Sequence, residues 1–151
     1  MAHTPVNHPA RPIYRAIGGL TGLYLVAFGV LGLIASAGNE VLAQDDTTVI
    51  GQGTNVGFSL LSLLLGGAVL AGTVIGRNLD VVINQWLAYV IMALSLAGLA
   101  FIRTEANIFN FSVATVIVLM VVGLVLLMVG MYGKVGTDEE KEAWQKARLV
   151  L

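Results

Sequence analysis

Four stretches of this 151-residue chain carry no charged side chain: residues 16–39, 49–76, 81–102 and 106–133. Each is long enough to cross a hydrocarbon core, which takes about 20 apolar residues as a helix. In lipid every backbone N–H and C=O must be satisfied within the protein, and a helix does this locally. The chain therefore reads as all-α, a polytopic membrane protein built on a four-transmembrane-helix bundle. Composition agrees. Charged residues make up 11% of the chain, against roughly 25% in a soluble domain.

The boundaries follow from proline, glycine and charge. Residues 1–12 hold Pro5, Pro9 and Pro12 with His3 and His8, and read as an extended N-terminal arm, since proline fixes φ and lacks an N–H. The transmembrane domain covers 13–136, with helices at about 13–37, 56–75, 81–102 and 111–132. Arg11 and Arg15 before an apolar run, with Ala35-Ser36-Ala37 after it, suggest a signal peptide. The run is longer than the usual h-region of about 7–15 residues, so a membrane helix is expected instead. Residues 137–151 read as a cytoplasmic amphipathic tail. Thr137 and Glu140 have capping-box spacing, and Trp144, Ala147 and Leu151 share a face.

Sidedness follows from the basic residues. With a cytoplasmic N-terminus, the inside segments carry Arg11, Arg15, Arg77, Lys134, Lys141, Lys146 and Arg148, and the outside segments carry only Arg103. The positive-inside rule then gives a multi-pass plasma-membrane protein with both termini cytoplasmic. Residues 39–55, with Glu40, Asp45 and Asp46 and no basic residue, are expected to form a solvated loop on the outer side. Tyr14, Trp86, Tyr132 and Trp144 fall near the inner interface, where amphipathic rings are favoured.

Helices in lipid associate through close packing, which small residues permit. Helix one has Gly18-x-x-x-Gly22, then Gly29 and Gly32. Helix two has Ala68-x-x-x-Gly72-x-x-x-Gly76. Helix three has Ala93-x-x-x-Ala97 and then Ala100, and helix four has Gly123 and Gly130. These seams are expected to pack the bundle internally; the sharper alternative turns the helix-one seam toward another protein.

The residue types exclude several chemistries. The absence of cysteine removes disulfides and thiolate ligands. No Asp, Glu, Lys, Arg or His lies within the four apolar spans, so a proton relay or ion-coupled site lacks its usual parts. His3 and His8 sit in the arm, away from any haem pocket, and are too few for a metal site; both are expected to be solvent-exposed. Ser59, Ser62, Ser95 and Ser112 have no base to activate them and read as hydrogen-bonding groups between helices. Asn84 and Gln85 form the most polar pair at membrane depth, and with Arg77 and Trp86 make a candidate lipid-headgroup contact. The net charge of −1 implies no nucleic-acid partner. The reading assigns no catalytic residue, cofactor or metal; the expected partners are membrane lipids and other integral membrane subunits.

The run Asn7-His8-Pro9-Ala10-Arg11-Pro12-Ile13-Tyr14-Arg15, leading into Gly18-Gly19-Leu20 and Gly29-Val30-Leu31-Gly32, resembles a family of small four-helix actinobacterial membrane proteins classed as a domain of unknown function. Helix two, from Asn55, resembles it loosely. The family pattern has a His in helix two, where this chain reads Asn55-Val56-Gly57-Phe58-Ser59-Leu60, so no role of that His carries over. In size, helix count and lack of redox residues, the chain also resembles accessory subunits of the actinobacterial cytochrome bcc–aa3 respiratory supercomplex. That resemblance implies a non-catalytic accessory subunit. Two alternatives stand beside it: a small transporter or oligomeric channel lined by Gly and Ser/Thr faces, and an intramembrane enzyme handling a lipid or quinone.

Overall fold

The computed structural model describes residues 4–148. Its helices are α1 (Arg11–Ala35), α2 (Val56–Ile75), α3 (Leu79–Phe101), α4 (Val113–Tyr132) and α5 (Asp138–Arg148). Two short strands, β1 (Thr48–Val49) and β2 (Gln52–Gly53), lie between α1 and α2. Helices α1 to α4 are each long and apolar enough to cross a membrane.

Several ends differ from the sequence expectation by two residues, for identifiable reasons. Helix α1 begins at Arg11 because Pro12 fits its first turn, where the missing N–H would have no partner anyway. It ends at Ala35, where the Ser36 hydroxyl donates back to the Gly32 carbonyl at 2.7 Å. Helix α3 begins at Leu79, which brings Asp80 into its first turn. Helix α4 begins at Val113, after a reciprocal cap between Ser112 and Thr115. The Thr137–Glu140 cap of α5 forms as its spacing predicts, with N–H bonds of 3.1 and 3.2 Å. Leu151, placed on the amphipathic face by sequence, lies outside the described residues, as does His3.

Successive helices run antiparallel. Along α1 and α2 the backbones nearly touch. A Cβ added at Gly29 would sit 2.7 Å from the Ser59 carbonyl, and one at Gly66 would sit 2.7 Å from the Gly22 carbonyl. Gly32 faces Ser59 on the same seam. Along α3 and α4, Gly123 lies against Met92 and Ala88, Gly130 against Gln85 and Val81, and Gly98 against Phe111. The Ser95 hydroxyl crosses that seam to the Val116 carbonyl at 2.8 Å. Gly18 faces Val129 and Asn84, and the Tyr14 ring stacks on Tyr132 at 5.1 Å, which joins α1 to α4. Leu25, Phe28, Phe58, Val69, Ile91 and Leu126 fill the centre.

Two small-residue stripes fall elsewhere than a simple seam. On α2, Gly66 and Ser59 meet α1, while Gly72 meets Ile83 of α3 and Gly76 meets the Arg15 guanidinium; Ala68 is half-buried. On α3 the buried face is Ala88, Ile91, Ser95 and Gly98, and Ala93, Ala97 and Ala100 all face outward.

The arm is not extended. Asn7 takes φ +55, a left-handed conformation that asparagine tolerates, and the chain folds back onto the segment after α4. The Asn7 N–H donates to the Lys134 carbonyl at 3.0 Å, and its amide nitrogen donates to the Gly136 carbonyl at 2.8 Å. Its amide oxygen accepts the Gly136 N–H at 3.1 Å. Val6 is buried beneath this fold. His8 is half-buried rather than solvent-exposed, edge-on to Tyr14 and Tyr132 at 5.6 and 5.4 Å.

Candidate binding site between α1 and α4

The loop after α1 begins as a solvated segment and ends as something else. Asp45 is exposed, and Thr47, through its side chain first and its backbone N–H second, holds the carboxyl below its ordinary value of 3.8. Asn39 adds a bond of 2.7 Å to the same carboxylate. From Thr47 onward the chain turns back into the bundle.

That return is a β-hairpin, Thr48 opposite Gly53 and Val49 opposite Gln52. Its two turn residues, Ile50 and Gly51, both have positive φ, at 52° and 73°, as a two-residue hairpin with right-handed strand twist requires. A β-branched side chain at such a φ is an outlier. The hairpin is wedged between α1 and α4. The Gly53 N–H donates to the Ser112 hydroxyl at 3.0 Å, and the Thr115 hydroxyl donates to the Gly53 carbonyl at 2.9 Å. Thr54 and Ser59 share a hydroxyl–hydroxyl bond of 3.0 Å. Asn55 caps α2 by accepting the Phe58 N–H at 2.9 Å and donates to the Ile108 carbonyl at 2.8 Å. The Gly53 backbone, which lies outside any helix, is thus satisfied by Ser112 and Thr115 at the start of α4.

Beyond the hairpin tip, α1 and α4 part around a cleft of about 510 Å³. Its walls include Thr21, Tyr24, Ile50, Gln52, Val121 and Val125. Tyr24 lies at the middle of α1, between Arg11 and Ala35; a rise of 1.5 Å per residue puts it about 16 Å from the Ala35 end. Val121 and Val125 flank the middle of α4. The cleft is thus at mid-depth of the bundle. Gln52, only 5% exposed, donates its amide N–H to the Tyr24 hydroxyl at 2.7 Å. The hydroxyl is the acceptor in that bond, and its own proton meets no protein acceptor among the described residues.

A second polar cluster lies at the arm end. Arg11 donates to the Gly133 carbonyl at 2.8 Å and pairs with Asp80 at 3.4 Å. Arg15 closes the end of α2 by donating to the Thr73 and Val74 carbonyls. Asp80 and Asn84 are 4% and 2% exposed, and each keeps one buried oxygen without a protein donor among the described residues.

The residues expected to meet a headgroup do not converge. Arg77 and Trp86 are exposed, Asn84 is buried toward Gly18 of α1, and Gln85 donates to the Gly130 carbonyl of α4 at 3.3 Å. Sequence reasoning missed Tyr24 and Gln52. The signal was present in the second uncharged stretch, which begins at residue 49, although the helix begins only at Val56.

No protein-family model, no curated protein and no solved structure matches this chain. The fold itself defines the class: an all-α protein with four antiparallel helices long and apolar enough to cross a membrane, consistent with a multi-pass membrane protein, and a short β-hairpin between the first and the second of them in sequence.

Proposed function

We propose that this chain is a non-catalytic accessory subunit of a larger plasma-membrane assembly. The cytochrome bcc–aa3 respiratory supercomplex, whose accessory subunits it resembles in size and helix count, is the assembly we put forward. The outward face of α3 carries the reading: Ala93, Ala97 and Ala100 are all exposed along one side of that helix. Small side chains let a foreign helix approach closely in lipid, where packing drives association. Gly22, Gly29, Gly66, Gly123 and Gly130 are by contrast already closed against neighbouring helices of the same chain. The excess of basic residues at the arm end supports cytoplasmic termini.

Purification from native membranes in mild detergent, followed by mass spectrometry of co-migrating proteins, tests this. A stoichiometric integral membrane partner is expected, and Ala97→Trp sheds it while the helical content of the chain is unchanged. A chain that migrates alone overturns the proposal.

A further inference from the structure

We propose that the cleft between α1 and α4 binds an uncharged, membrane-soluble molecule that joins a carbonyl oxygen to a long apolar chain, the chemistry of an isoprenoid quinone. The Tyr24 hydroxyl donates to that carbonyl. This inference stands apart from the subunit reading, because the cleft belongs to a single chain.

Three observations lead to it. The first is the free donor. A phenol proton facing hydrocarbon without an acceptor is costly, and Gln52 already occupies the Tyr24 oxygen as donor. Receiving that bond strengthens the phenol as a donor in turn. The missing partner is therefore an acceptor and not a second donor.

The second is depth. Tyr24 is central in its helix, whereas the ester carbonyls of a glycerolipid stay near the headgroups, about 15 Å from the midplane of a hydrocarbon core about 30 Å thick. A glycerolipid presents only methylenes at this level and leaves the phenol unpaired. A neutral ring without a charged headgroup can rest there.

The third is the wall. Apart from Tyr24, Gln52 and Thr21, the lining is aliphatic, and the Thr21 hydroxyl is spent on the Ile17 carbonyl at 2.9 Å. Ile50 occupies a turn position that Asn or Gly would fill without strain, and so keeps an apolar side chain at the rim. The volume falls within the range of about 300–1,000 Å³ usual for small-molecule sites. Exposed Leu20 and Val121 leave the mouth open along the helices, so a long chain can run out into lipid.

The test uses the full chain purified in detergent, with decylubiquinone as probe and its co-retention in gel filtration read by absorbance. Decylbenzene is the control without carbonyls, and dioleoylphosphatidylcholine is the glycerolipid competitor. About one decylubiquinone per chain is expected, held against excess phosphatidylcholine, with decylbenzene retained at least about fivefold more weakly, the worth of one neutral hydrogen bond. Tyr24→Phe weakens decylubiquinone by a similar factor and leaves decylbenzene unchanged. Val121→Trp, at an exposed position, fills the cleft and abolishes retention with Tyr24 and Gln52 intact. Equal retention of the two probes, unchanged affinity in Tyr24→Phe, full retention in Val121→Trp, or displacement by phosphatidylcholine overturns the proposal.

Discussion

Asp80 shows how much one buried carboxyl group depends on a partner far away in the chain. Its carboxylate is 4% exposed in the first turn of α3, with one oxygen on Arg11, 69 positions earlier. A buried charge that loses its partner costs more than the pair contributed. Arg11→Met is therefore expected to destabilise the protein by roughly 2 kcal/mol, and adding Asp80→Asn should recover at least half of that. Denaturant titration in detergent micelles, followed by circular dichroism, measures both. In sequence Asp80 is only the last charge before the third uncharged stretch, and Arg11 reads as part of an extended arm. The two residues are legible separately, but their pairing depends on how the termini of α1 and α3 meet. The same holds for Tyr24 and Gln52, 28 positions apart. Gln52 looks like an ordinary polar loop residue until the hairpin carries it to the middle of α1.

At the scale of elements, the four spans were readable because the absence of charge is a local property of each stretch. Which face of a span is buried was not. A helix that is apolar all round, as α4 is, has no periodicity to point inward. Gly66 and Gly67 make the point, since they are identical and adjacent in sequence. A Cβ at Gly66 would lie 2.7 Å from the Gly22 carbonyl and 2.8 Å from the Val26 nitrogen, whereas one at Gly67 meets nothing within 4 Å. Gly66→Ala must push two backbones apart and is expected to cost about 2 kcal/mol. Gly67→Ala is expected to be neutral, or to gain up to about 1 kcal/mol from helix propensity. Thermal unfolding of the two variants in one detergent compares them directly. The alanines of α3 carry the same lesson, because Ala93, Ala97 and Ala100 form a seam by spacing and an outer face in the fold. The hairpin was hidden by its composition: Gln52, Thr54 and Asn55 look solvated but are buried, bonded respectively to Tyr24 of α1, to Ser59 of α2 and to the Ile108 carbonyl ahead of α4.

For the whole molecule, residues 4–10, the turn between α2 and α3, and the start of α5 gather at one end, and the acidic loop lies at the other. The chain has no cysteine, so single reporters give an unambiguous sidedness test. With the arm end cytoplasmic, Asp46→Cys should react with a membrane-impermeant maleimide on intact cells, and Glu139→Cys only after permeabilisation. The reverse pattern would invert the orientation read from the basic residues. The bond from Asn7 to residues 134 and 136 also sets an order on biosynthesis. Until translation has passed Gly136, the segment before α1 has nothing to latch onto, so this fastening closes only after all four long helices have been made.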